Sequence, residues 1–449
     1  MKIQSYIILF VLSLSAASCQ KYLDVEPRAS ISDEQTIFDK ASAQTALNGV
    51  YSQLASGGYY STTFQSIGYL SGDNIQWTGS QSQVQELINH NVSTGNATIS
   101  GAWTAIYYTI SRANHIIDKV PGVQDASFAD ADKNKILGEA YFIRALSYFD
   151  LARTWGAAPI ITKPTNSPAD NVGIGRRPVA EVYAQALNDL NAAEPLLTET
   201  TDRYRATRKT VWALKARFYL YQKDWAKAEE YATKLIGDNN YALVKPYSAF
   251  FANNVRGTQE SVFEIFYSAN ELNNHRNQWQ PQTNGGTRQW APNDAFVALV
   301  NKPDSGGNRN VLVAQDNQGR WYGNLYYRTP AADPSFVIRI AELYLIRAEA
   351  RAQLGSANDL IGARADLNAV RDRAGLAATT STTQAALLLS IEQERRIEFA
   401  LEPHRWFDLV RTGRAQAVLK IADPNKLLLP VPQEQIQIDP SLLPNNPGY

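Results

Sequence analysis

The sequence predicts a mostly α fold, a tetratricopeptide-like helical-repeat base interrupted by long loops and short strands. Three observations carry this. First, Tyr141-x3-Ala145-x2-Tyr148, Trp212-x3-Ala216-x2-Tyr219 and Tyr344-x3-Ala348-x2-Arg351 each set an aromatic one turn before a small residue. Alanine lets two antiparallel helices approach, and the aromatic fills the gap beside it. Second, each is followed by a partner run of helical period, at residues 179–196, 224–236 and 358–373, with Ala228 as the small residue of the second. Third, the stretches at about 56–100 and 255–335 do not read as helix pairs and are rich in Ser, Asn and Gln. The pairs are unevenly spaced, so the array is degenerate and carries insertions.

Taken in order, the chain opens with Met1-Lys2, an apolar run over 7–14 and the small residues Ala16-Ala17-Ser18. That is the pattern of a secretory signal peptide, too short for a stable spanning helix. Cys19, the one cysteine of the 449 residues, sits where cleavage makes it the first mature residue. Its thiol is the expected site of lipidation, and several acyl chains hold a protein on a bilayer without a transmembrane helix. The expected boundaries are therefore a signal peptide at 1–18 and a single domain at 19–449, since no linker-like stretch divides it. Without Cys19 the mature chain has no thiol, so disulfides and thiolate chemistry are excluded. Lys+Arg and Asp+Glu balance at 43 each, which leaves no basic surplus for nucleic acid or an anionic membrane.

The base is expected at about 40–55, 101–250 and 336–411, beginning with amphipathic helices over 41–54 and 101–119. Trp103, Trp155, Trp212, Trp225 and Trp406 sit at helical positions and read as core. Asp130-x-Asp132-x-Asn134 begins like a calcium loop, but Lys135 replaces the required glycine and Tyr141 the bidentate glutamate. It reads instead as a capped helix start, and no metal is expected. His90, His115, His275 and His404 have no ligand spacing, and there is no nucleophile elbow or phosphate loop. Most glutamates fall on helices beside arginines rather than in facing pairs. No catalytic residue and no cofactor are expected, and the chain does not read as an enzyme.

The chemistry is expected on the loop-rich face. The first stretch holds Gly72-Asp-Asn-Ile-Gln-Trp77; the second opens with a strand over 261–267 and continues into a polar run with Trp279 and Trp290. A pyranose presents a C–H face and a rim of hydroxyls. An exposed indole covers the first, and amides, each donor and acceptor, match the second. Trp77, Trp279 and Trp290 are the platform candidates, and Asn74, Asn277, Gln278, Arg288 and Tyr267 complete the glycan-binding set. The alternative for each tryptophan is that it pins its loop down. Trp321 and Tyr322 lie in an apparent strand pair and read as structural.

The most unusual segment is 392–411. At helical spacing Glu392 faces Arg396, Arg395 faces Glu398, Glu402 faces Arg405 and Asp408 faces Arg411, with Trp406 and Phe407 between them. A part-buried ion-pair lattice against another helix is expected. The tail at 427–449 has too many prolines for a helix and reads as extended chain on a surface. Glu-Arg-Arg-Ile-Glu-Phe-Ala-Leu-Glu-x-His-Arg-Trp-Phe-Asp-Leu-Val-Arg, with Leu-Pro-Val-Pro and a final Asn-Pro-Gly-Tyr, closely resembles the C-terminal signature of SusD/RagB-like outer-membrane lipoproteins. Ile338-Arg-Ile-Ala-Glu-Leu-Tyr-Leu-Ile-Arg-Ala-Glu-Ala350 and Trp103-x3-Tyr107-x2-Ile110-x3-Asn114 are similar to two further family motifs. Pro403 stands where the family usually has glycine and marks a kink or break between two helices.

The resemblance implies a SusD-like fold, a lipid anchor in the outer membrane facing the exterior, and a glycan ligand passed to a SusC-like TonB-dependent transporter. Contact with the membrane is expected through the anchor alone. Peptide capture, as in the RagB branch, and a helical-repeat scaffold without a small ligand are the alternatives.

Overall fold

The computed structural model describes residues 36–449, so the expected signal peptide and Cys19 lie outside the described residues. The base opens with α1 (Lys40–Leu54), started by Asp39, whose carboxylate accepts from the Ser42 amide at 2.7 Å. Within the first stretch read as loop come α2 (Thr63–Leu70), β1 (Ile75–Trp77) and α3 (Ser82–Ile88). The base resumes with α4 (Ala97–Lys119), α5 (Asp130–Trp155), α6 (Val179–Leu196), α7 (Arg208–Tyr221) and α8 (Trp225–Ile236). The second insertion holds β2 (Ser261–Ile265), α9 (His275–Trp279), β3 (Trp290–Pro292), α10 (Asp294–Asn301), β4 (Val313–Gln315), β5 (Trp321–Gly323) and β6 (Ser335–Arg339). The chain returns through α11 (Ile340–Leu354), α12 (Ala357–Arg373), α13 (Gln384–Glu398) and α14 (Arg405–Arg411), and ends with α15 (Ala415–Leu419) and α16 (Gln433–Ile438).

The helix pairs form where the spacing places them: α5 packs on α6, α7 on α8, and α11 on both α12 and α8. Ala145, Ala216, Ala228 and Ala348 are fully buried, as a close helix–helix approach requires. Trp103, Trp155 and Trp406 are core; Trp212 and Trp225 are half-buried against it. The strands form three two-stranded antiparallel ladders, β1 with β3, β2 with β6 and β4 with β5. All three ladders draw strands from the second insertion.

Three expectations are corrected. Residues 56–100 are largely helical: α2 is buried on nearly every side, from Phe64 to Leu70, and so lacks an amphipathic stripe, while α3 buries only Leu87. Asp130 and Asp132 do lie in the first turn of α5, where carboxylates favour the helix dipole, but Ala129 at the cap gives no side-chain bond. The tail is not wholly extended: Pro432, in extended backbone, caps α16, and its carbonyl accepts from Ile436 N at 3.2 Å. The tail still straps the base, since Trp155 Nε1 donates to Pro430 O at 3.0 Å and Leu429 N to Thr154 O at 3.0 Å.

The charged segment is buried more deeply than its sequence implies, and its pairs differ. Helix α13 ends at Glu398 and α14 starts at Arg405, so the break at Pro403 turns the later charges away from the earlier ones. Of the four expected pairs, Asp408–Arg411 forms, at 2.8 Å. Arg395 instead meets Asp408 at 2.7 Å, and Glu392 meets Arg414 at 2.9 Å. Glu398 and Glu402 reach Arg339 at the end of β6, at 2.8 and 2.6 Å, with Glu260 on the same guanidinium at 2.9 Å. Burial pushes Glu398 up, but Arg373, Arg339 and Arg309 outweigh it and hold the carboxyl below its ordinary value.

Candidate ligand-binding site

The strand that carries Trp77 is held from behind by the C-terminal helices. Asp73 accepts from Arg405 Nε at 2.7 Å and pairs with Arg396 at 3.2 Å. Asn74 Nδ2 donates to Arg396 O at 3.0 Å, and its Oδ1 accepts from Arg396 Nε at 2.8 Å. With both ends of its amide used and the residue buried, Asn74 positions β1 and does not face a ligand. From that anchor β1 runs antiparallel to β3, with Ile75 opposite Pro292 and Trp77 opposite Trp290. Thr78 N donates to Gln289 O at 2.9 Å and extends the ladder by one residue.

Trp77 is half-buried and lies on the wall of two adjoining hollows. The larger, of about 710 Å³, is lined by Thr62, Thr63, Gln83, Gln278, Gln289 and the edge of Trp290 among others. The smaller, of about 400 Å³, is lined by Gln85, Asn89, Asn91 and Glu86. Most residues lining both hollows carry an amide or a hydroxyl, although the smaller exposes more apolar than polar surface, and Glu86 is the one charged residue among them. Burial pushes the Glu86 carboxyl up, but bonds from Asn96 and Ser93 outweigh it and keep it below its ordinary value. It therefore stays an acceptor at neutral pH.

The structure separates the remaining candidates. Trp279 is fully buried, and Trp290 is 5 % exposed, so neither stands free as the sequence reading expected. The reason is a cluster of rings: Trp279 lies 5.6 Å from Trp290 and 5.3 Å from Tyr69, and Trp290 lies 5.9 Å from His275. Gly323 of β5 backs Trp279 so closely that a Cβ there would fall 2.5 Å from the ring. These two tryptophans pin the insertion down. Tyr267, two residues past the end of β2, is buried and donates its hydroxyl to Ala55 O at 3.0 Å, another correction.

Gln278 reaches the larger hollow; its neighbour Asn277 is exposed but lies on neither wall. Arg288 donates from Nε to Trp321 O at 2.8 Å, and burial with Arg320 nearby lowers its pKa. It too lies off both walls, although Thr78 Oγ1 bonds to its carbonyl at 2.5 Å. Sequence reasoning missed Gln289, Thr62 and Thr63. Adjacency to Trp290 could have found the first; nothing local marks the threonines, which the fold brings in through α2. Among the described residues no group of three or more His, Cys, Asp or Glu could hold a metal, and no helix is long and apolar enough to cross a membrane.

Comparison with known proteins bears on this arrangement. Residues 21–220 match a family described as "Starch-binding associating with outer membrane", and residues 323–427 match the SusD family, together more than half of the chain. The chain is 28 % identical to SusD-like protein P38 of Formosa agariphila, over 92 % of each chain. Its fold is similar to that of a SusD superfamily protein of Bacteroides vulgatus, with a TM-score of 0.82 at 22 % identity over 92 % of this chain and 100 % of that one. It is also similar to surface glycan-binding protein A of Bacteroides thetaiotaomicron, solved with laminarihexaose, with a TM-score of 0.75 at 20 % identity over 91 % of this chain and 99 % of that one.

Proposed function

The chain belongs to the SusD/RagB family, and from that premise we propose that it is a glycan-binding lipoprotein of the outer-membrane surface, anchored through Cys19. It captures oligo- or polysaccharide at the Trp77 hollows without turning it over. It then passes the ligand to a SusC-like TonB-dependent transporter. The observation that carries the binding step is the half-buried Trp77 indole between two open hollows lined mainly by residues with neutral amides and hydroxyls. An indole supplies a flat apolar face for a sugar ring, and Gln83, Gln85, Gln278 and Gln289 offer paired donors and acceptors to its hydroxyls. Starch in the description of the matched family and laminarihexaose on the Bacteroides thetaiotaomicron neighbour make glucans the first ligands to try.

The test is affinity electrophoresis through gels containing laminarin or starch. Retardation that is lost on Trp77→Ala supports the reading. Equal mobility with and without a panel of glycans, alongside binding of oligopeptides, would replace it with peptide capture. Transfer is tested separately, by co-purification with the transporter from membranes.

A further inference from the structure

Gly79 stands two residues after Trp77, in the turn between β1 and α3. A Cβ built on it would lie 2.3 Å from Trp77 Cζ2 and 2.7 Å from each of the bonded neighbours, Cε2 and Cη2. An atom approaching along the ring plane would be much farther from those neighbours than from Cζ2; these nearly equal distances put it over the ring face. The Gly79 Cα thus points a Cβ position at one face of the indole. Its φ is not among the positive values, so contact rather than backbone conformation calls for glycine here. Trp77 lines both hollows, whereas Gly79 lines only the smaller.

We propose that Gly79 is the positioning residue of the platform. Lacking a side chain, it backs one indole face, fixes the tilt of the ring and leaves only the opposite face, toward the larger hollow, for a sugar. A methyl group at 79 must displace the ring, which can swing about two side-chain torsions into the free space of that hollow. The binding part of this inference rests on Trp77 being the platform; the packing part does not.

The two parts are tested on full-length protein carrying 5-fluorotryptophan, with the Trp77 fluorine line assigned through Trp77→Phe. Gly79→Ala is expected to shift or broaden that line while the other tryptophan lines hold, and to weaken laminarin binding by about tenfold or more. In a Trp77→Ala background the same change is expected to cost no stability, because the ring it displaces is gone. An unmoved Trp77 line in Gly79→Ala overturns the inference, whatever the protein binds. So does an equal loss of stability in the two backgrounds. If wild-type protein is retarded by neither laminarin nor starch, the glycan reading fails, and the fluorine line alone decides the role of Gly79.

Discussion

Asp73 accepts a hydrogen bond from Arg405 at 2.7 Å, and that pair ties the strand of Trp77 to a helix more than three hundred residues later in the chain. Arg396 reaches the same carboxylate at 3.2 Å. Burial pushes the Asp73 carboxyl up, and the two guanidiniums outweigh it, so it sits below its ordinary value. The C-terminal signature is therefore a brace for the site as well as a core lattice.

Removing that brace should be felt at both places. Asp73→Ala is expected to lower stability by about 1–3 kcal/mol, the range for charged hydrogen bonds lost in a partly buried setting. It should also weaken glycan retention, because β1 loses its fixed position. Urea midpoints and affinity gels on the same preparations check this; retained stability with retained binding would contradict it.

The tryptophans should part company. Trp279→Ala is expected to cost about 3–5 kcal/mol, as a fully buried large ring does, while Trp77→Ala costs less than half as much. Only the latter should abolish binding at full folded fraction. Thermal denaturation beside affinity electrophoresis separates them, and equal destabilisation by the two would be the contrary result.

Arg339 faces Glu260, Glu398 and Glu402 in the interior. Arg339→Ala leaves those carboxylates short of a partner and is expected to cost about 3–5 kcal/mol or more. Arg339→Lys should rescue little, since an ammonium cannot reproduce the guanidinium fork. The yield and melting temperature of each variant are the measurements.

How much of this was legible in the sequence depends on whether the signal was local. The helix pairs were, because Ala145, Ala216 and Ala348 recur beside aromatics at fixed spacing and are all fully buried. The ion lattice was visible as charge inside an apolar helix. Its partners were not, since Arg339 and Asp73 come from segments that only the tertiary fold brings near. The polar run after Trp77 marked the site region. Trp279 and Trp290 read as platforms because composition cannot tell an indole that pins a loop from one that faces solvent. Tyr69, brought in from α2, packs on both rings, and His275 of α9 packs on Trp290.

Two histidines should report on acid stability. Burial pushes His275 and His404 down to about 3, whereas the unfolded chain titrates near 6.5. Between those values the unfolded state binds more protons, so stability falls as pH drops below about 6.5, by about 2 kcal/mol per histidine at pH 5. Asp333, pushed up to about 6 by burial, opposes this as pH falls from 6 toward 3.8. The net loss is therefore smaller than the histidine sum. Proton NMR should show the His275 and His404 rings not titrating between pH 8 and 5; a midpoint near 6.5 for either would contradict the assignment.

A crystal structure of the protein soaked with whichever glycan retards it in the gel puts the platform to the test. A pyranose should lie over Trp77 with its carbons in van der Waals contact, about 3.5–4.0 Å from the indole face. That face should be the one turned away from Gly79. A sugar bound elsewhere, with the Trp77 ring uncovered, would contradict this.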